Sequence, residues 1–174
     1  MQLDNTKKHK LFASICIVIF VLMDQLIKVV VESNMQLSES IPVINNVLHI
    51  TYVLNDGAAF SFMSGNSWLL SGLTSVIMGI LIYVFYSKMA VHPLAIWSIS
   101  LLIGGGIGNL IDRFFRGDIL FHGKVVDYVD FRIINFAVFN FADCCVVIGT
   151  ILISVYLIFF EKTQKVLTEE NDNE

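Results

Sequence analysis

The sequence predicts a membrane protein, mainly α-helical, in which four transmembrane helices carry a small β-rich extracytoplasmic platform at the outer interface. Three observations predict it. Of the 174 residues, 56% are hydrophobic and 15% charged, with a mean hydropathy of +0.74, which points to the bilayer as solvent. Four windows, roughly residues 11–31, 68–86, 94–111 and 141–160, approach the length of about 20 apolar residues that crosses a bilayer. Between them, VLHITYVL (47–54) alternates with a period of two, and VVDYVDF (125–131) and FAVF (136–139) are also strand-like.

The first window is too long for the apolar stretch of a signal peptide, and no small-residue cleavage site follows it. Near its outer end, Asp24 and Lys28 are four residues apart and share a helix face, so each neutralises the other. A structural pair is the plainer reading of the two, with catalysis the alternative. After the strand-like segment, Asn55-Asp56-Gly57 supplies turn chemistry before the second window. The third window ends in GGGIGNLIDR (104–113), whose glycines admit a close neighbour. They do not form a phosphate loop, because no G-K-S/T follows. Asn109, Asp112 and Arg113 fall on one polar face at the water boundary, either a site or a helix end with a snorkelling arginine. The fourth window carries Asp143 in its first turn, with Asn140 one turn before it.

Lysine and arginine placement gives the orientation. Lys7, Lys8 and Lys10 precede the first window, Lys88 lies in the 87–93 link, and Lys162 and Lys165 follow the last window, whereas residues 32–67 hold no Lys or Arg. Both termini and that link are therefore expected in the cytoplasm, with 32–67 and 112–140 outside. Residues 161–174 read as a cytoplasmic, solvated tail. Arg113, Arg116, Lys124 and Arg132 break the pattern on the outer side. They are balanced by Asp112, Asp118, Asp127 and Asp130, which suggests a built site there. No repeat or low-complexity linker divides the chain, so residues 1–174 are expected to form a single unit.

The chemistry turns on Asp127 and Asp143, sixteen residues apart. A return through FRIINFAVF (131–139) could bring them together. Two adjacent carboxylates share one proton, and such a pair can take a proton from water while polarising an amide carbonyl, with no metal and no cofactor. Asn140, on the face of Asp143, is placed to hydrogen-bond a substrate backbone. The plainer alternative makes Asp143 an acid favoured by the helix N-terminus and Asp127 a turn residue. Asp130 competes with Asp127 for the role, since VVDYVD offers both.

Other chemistries find less support. The four histidines are scattered with no H-E-x-x-H, no G-x-S-x-G is present, and Cys16, Cys144 and Cys145 form neither a C-x-x-C nor a disulfide framework. No basic patch with interleaved aromatics suggests nucleic acid. A small proton-coupled four-helix transporter remains the alternative, with the intramembrane acids as a relay. Its acids would be expected nearer the midplane than the outer edge.

Five segments in order, DQLIK (24–28), NDGAAFSF (55–62), GNLIDR (108–113), VVDYVD (125–130) and FNFAD (139–143), resemble the motifs of bacterial lipoprotein signal peptidase, or signal peptidase II. The resemblance covers about residues 11–160. It implies an aspartyl endopeptidase of the bacterial cytoplasmic (inner) membrane with its active site at the outer face. Such an enzyme removes signal peptides from diacylglyceryl-modified prolipoproteins, cutting before the lipidated cysteine, and is inhibited by the cyclic peptide globomycin. Carried over by position, the catalytic pair is Asp127 and Asp143. Asn55, Asn109, Arg113 and Asn140 would bind substrate, while Asp24, Lys28 and Asp112 would support the architecture. Phe60, Phe62 and Trp68 are expected to face membrane lipid. The departure is FFRGDILFHGK (114–124), longer than the family's usual link, which bears on where Asp127 stands relative to Asp112.

Overall fold

The computed structural model describes residues 2–57 and 65–160. Phe60 and Phe62, the lysines after the last helix and the acidic tail lie outside the described residues. In chain order the elements are α1 (Gln2–Asn34), β1 (Ser40–Ile44), β2 (Leu48–Asn55), α2 (Ser67–Tyr86), α3 (Pro93–Phe115), β3 (Val125–Phe131), a single 3-10 turn (Arg132–Ile134) and α4 (Phe141–Phe159).

All four helices are long and apolar enough to cross a membrane. At 1.5 Å per residue, α1 extends about 50 Å, so its polar first turns project beyond a hydrocarbon core of about 30 Å. One end of the bundle is tied by Lys10, whose Nζ donates to the Ser87 carbonyl at 2.6 Å. At that same end His92 caps α3, its Nδ1 accepting from the Leu94 N–H, and its ring stacks on Tyr156 near the end of α4. The lysines of the N-terminus and of the 87–92 link therefore share one end of the bundle, and the sheet sits at the other.

The centre is α3, whose apolar window is 56% buried against 17–22% for the other three helices. Its glycines explain how it contacts all of them. A Cβ on Gly104 would stand 3.0 Å from that of Phe20 on α1, and one on Gly108 2.6 Å from the Asp24 carboxylate. Gly105 lies against the Ala142 carbonyl of α4, and Gly106 against the Met78 thioether of α2. Successive helical positions point about 100° apart, so neighbouring glycines admit different helices. Gly105→Val is expected to wedge α3 from α4 and cost about 1–3 kcal/mol, the usual penalty for overpacking. A thermal midpoint in detergent equal to wild type would show that the contact yields freely.

The platform is an antiparallel sheet in the order β1-β2-β3. Ser40 pairs with Thr51, His49 with Asp130, Val53 with Asp127 and Asn55 with Val125. β1 was not legible in the sequence because Pro42 sits in its middle. It is an edge strand, where a missing N–H donor is tolerated. Conversely, the expected strand at 136–139 shortens to a bridge between Val129 and Phe139. Asn135, in the left-handed region at φ 48°, turns the chain sharply, and α4 starts at Phe141, leaving little length to pair. The underside of the sheet is seated by Val126 and Tyr128 packing with Val31 of α1.

Candidate active site

Each acid is placed by a different element. Asp127 is the third residue of β3 and is 2% exposed. Asp143 is the third residue of α4, where it completes a capping box with Asn140: the Asn140 Oδ1 accepts from the Asp143 N–H, and the Asp143 Oδ2 accepts from the Asn140 N–H, both at 3.0 Å. The Val129–Phe139 bridge then closes the 131–139 return and lays the start of α4 beside β3. The two acids meet through Asn140, which is fully buried and whose Nδ2 donates to the Asp127 Oδ1 at 2.6 Å. Asn55 of β2 donates to the other Asp127 oxygen at 2.9 Å, and Asn109 of α3 donates to the Asp143 Oδ1 at 2.8 Å.

Asp130 is elsewhere. It accepts from Thr51 Oγ1 at 2.7 Å and from Arg132 Nε at 2.9 Å. Burial pushes its carboxyl up, but those two hydrogen bonds, together with nearby positive charge led by Arg132, outweigh it and hold the group below the ordinary value. For Asp127, burial is again the first cause and the neighbouring Asp143 the second, and together they push its carboxyl up to about 7. The folded chain therefore holds a proton between about pH 4 and 7 that the unfolded chain has released. The stability this group contributes is fully present below its unfolded value of 3.8 and is lost as pH rises through about 7. Asp127→Asn is expected to flatten that part of the pH–stability curve. The check is the thermal midpoint of both proteins from pH 4 to 8, and parallel curves would contradict it.

Both carboxylates line one cavity of about 490 Å³ together with Asn55, Asn109 and Arg113. Its apolar wall comes from residues 136–139 and from Cys144 and 146–148 on α4. Phe136, Val147 and Ile148 are also exposed on the outer surface, so this wall continues onto the lipid-facing side of the bundle. Arg113 is buried; its Nη2 donates to the Gly57 carbonyl at 2.6 Å, while Nη1 has no partner among the described residues.

The supporting residues lie behind the acids. Lys28 Nζ donates to Asp24 at 2.8 Å, to Asp112 at 2.7 Å and to the Asn109 Oδ1 at 2.8 Å, and all three ion-pair members are 0% exposed. Asp24 also accepts from the Ala142 N–H at 3.1 Å, tying α1 to the first turn of α4. Asp112 accepts from the Val126 N–H at 3.3 Å and from Arg116 at 2.8 Å, and Arg116 in turn pairs with Glu32. The 114–124 segment, which begins as the last residues of α3, folds back on itself, with the Gly123 and Lys124 N–H groups bonded to the Arg113 and Arg116 carbonyls. With the segment so placed, the Asp112 carboxylate lies against the strand that bears Asp127.

Three contributors were not singled out from sequence. Gln25 donates to Asp24, to Asp112 and to the Gly108 carbonyl, and it lies inside DQLIK, where an amide beside an ion pair was a readable signal. Tyr128 accepts from the Phe141 N–H at 3.1 Å and orients the start of α4. Cys144 lines the cavity, a place that only the turn of α4 reveals.

Comparison with known proteins agrees along most of the chain. A family model described as signal peptidase (SPase) II matches residues 16–159. A lipoprotein signal peptidase of Halothermothrix orenii is 44% identical over 143 residues, covering 82% of this chain and 92% of its own length. A lipoprotein signal peptidase of Clostridioides difficile is 41% identical, covering 86% and 96%. A bacterial membrane enzyme solved by the in meso method at 2.3 Å superposes with a TM-score of 0.76 at 34% identity, covering 84% of this chain and 87% of that one.

Proposed function

Because the chain belongs to the signal peptidase II family, we propose that it is an aspartic endopeptidase that removes signal peptides from diacylglyceryl-modified prolipoproteins, cutting before the lipidated cysteine. One observation carries the aspartic reading: Asp127 and Asp143 line the same cavity, and Asn140 joins them, its side-chain Nδ2 donating to the Asp127 carboxylate and its backbone N–H to the Asp143 carboxylate.

In this reading a water lies between the acids. The carboxylate of the pair takes a proton from it as the water oxygen bonds to the scissile carbonyl carbon. The carbonyl π pair moves onto oxygen, which takes the proton of the other acid. The resulting gem-diol collapses when the newly protonated acid gives its proton to the leaving nitrogen and the C–N bond breaks. A gem-diol hydroxyl then returns a proton to the other acid. Burial favours a pair carrying one proton, because two charged carboxylates in a dry site are costly. Arg113, whose Nη1 is free of protein partners among the described residues, supplies a donor for a backbone or lipid carbonyl. Asn55 and Asn109 line the cavity beside it, and Asn140 lies beneath, across the two acids.

The substrate class fits the depth of the site. The acids stand where the helices meet the sheet, and the apolar wall of the cavity opens toward lipid at Phe136, Val147 and Ile148. A signal helix with acyl chains on its cysteine can approach through that wall without leaving the bilayer. The lysines at the opposite end of the bundle support a cytoplasmic N-terminus and an active site at the outer face of the cytoplasmic membrane. Globomycin, as a cyclic peptide inhibitor, would occupy the same cavity. The 1–174 chain acts in this proposal as one membrane-embedded unit.

The test is cleavage of a diacylglyceryl-modified prolipoprotein peptide by the purified protein in detergent, with chelator present, and with the product mass giving the cut position. Cleavage directly before the lipidated cysteine is the expected result. No cleavage, or cleavage abolished by chelator, overturns the reading.

A further inference from the structure

The hydrogen bonds behind the acids are directional, and they treat the two carboxylates differently. Lys28 has three N–H donors and spends all three, on Asp24, Asp112 and Asn109. The Asn109 Oδ1 accepts both from Lys28 at 2.8 Å and from the Asn140 Nδ2 at 3.0 Å, which fills its two lone pairs. The Asn109 side chain therefore cannot turn over, and its Nδ2 faces Asp143 at 2.8 Å. Asp143 receives this N–H on one oxygen and the Asn140 backbone N–H on the other, and it stands in the first turn of α4, where the helix dipole favours an anion. Asp127 likewise receives two amide N–H donors, from Asn55 and Asn140, but it sits on a strand with no helix end behind it, and the oxygens of those two amides accept from backbone N–H groups rather than from a cation.

We infer that Lys28 is a positioning residue that, through Asn109, holds Asp143 as the carboxylate of the pair and so leaves Asp127 as the acid that carries the proton. This rests on the aspartic reading above and assigns the roles within it. Asp143 takes the proton from water, and Asp127 gives its own to the carbonyl oxygen. The rise of the Asp127 carboxyl toward neutral pH is in keeping with that division. The charged and titratable groups that act on Asp143 are Lys28 from α1, Arg113 from α3, Asp127 and Tyr128 from β3, and Cys144 beside it, while Asp24 and Asp112 stand behind them on the Lys28 ammonium. Of the two cations among these, Lys28 is the one joined to Asp143 through a hydrogen-bonded amide.

The experiment is the pH–rate profile of peptide cleavage for wild type, Lys28→Met/Asp24→Asn and Asn109→Leu. The double variant removes one charge of each sign. Asn109→Leu cuts the relay but leaves the ion pairs of Lys28 in place, so it decides the matter if the double variant does not fold. Removing the cation or the amide makes the Asp143 carboxylate easier to protonate. The acidic limb is therefore expected to move up by about one pH unit in both variants, the usual size of a charge-partner effect. A rate that falls equally at every pH, with the limb unmoved, would show a merely structural lysine and overturn the inference while leaving the aspartic reading intact. A wild type that cuts nothing would bring down both.

Discussion

Asp127→Asn and Asp143→Asn are each expected to lower cleavage of a diacylglyceryl-modified peptide by about 10²–10⁴-fold, the range contributed by a positioned acid or base. Each substitution keeps the size of the side chain and removes its ability to carry or release the proton. The two acids act as a unit, so the double variant is expected to lose little more than either single one. Asp130→Asn, by contrast, is expected to keep most of the activity. Its partners are Thr51 on β2 and Arg132 in the 3-10 turn after β3, and it does not line the cavity. The measurement is initial rate at fixed pH for the four proteins, with folding checked by thermal midpoint. Normal cutting by Asp143→Asn would sink the aspartic mechanism and return the buried acids to the transporter alternative. Loss of cutting by Asp130→Asn in a folded protein would move the role of Asp127 to Asp130, three residues along β3.

The same comparison shows what could be read in advance. The four helices were legible because a run of about 20 apolar residues has few other uses. Their ends were less so. Asp112 and Arg113 looked like the water boundary, which placed the end of the third helix at residue 111, yet α3 runs to Phe115. Those charges are buried against Lys28, Val126 and Gly57 rather than solvated, so the polar signal marked an internal contact. The pairing of Asp24 with Lys28 followed from their spacing. That Asp112 is the second acid on the same ammonium did not, since it depends on the register of α1 against α3 set by Gly104 and Gly108.

Within the candidate site, spacing suggested that the 131–139 return could join Asp127 to Asp143, and the turn at Asn135 with the Val129–Phe139 bridge provides the route. The amides were harder. Asn55 entered only by its place in a motif that resembled a known family, because a turn asparagine has many uses. Its contact with Asp127 needs the pairing of Val53 with Asp127 across β2 and β3, a long-range register no local pattern encodes. The same is true of Lys28 and Asn109, eighty-one residues apart and 2.8 Å between donor and acceptor.

Lys28→Met alone is expected to be among the most destabilising single changes in the chain, by about 3–5 kcal/mol, because it leaves partners of a buried cation uncompensated. Asp24 and Asp112 are both 0% exposed and would face one another with no ammonium between them. Arg116 still pairs with Asp112 at 2.8 Å, so Asp24 is the acid left without a cation in contact. Lys28→Met/Asp24→Asn should therefore recover much of the loss, since the remaining charges again balance and the asparagine keeps an oxygen for the Ala142 N–H. The measurement is unfolding of the three proteins in one detergent, read as midpoint and as the denaturant concentration at half-unfolding. If Lys28→Met unfolds where wild type does, the network is not holding α1, α3 and α4 together. If the double variant is no better than the single one, the cost lies in packing around the lysine stem rather than in its charge. Recovery in the double variant with cleavage still impaired would separate the two roles of the lysine, since the ion pairs hold the helices while the single bond to Asn109 reaches the chemistry.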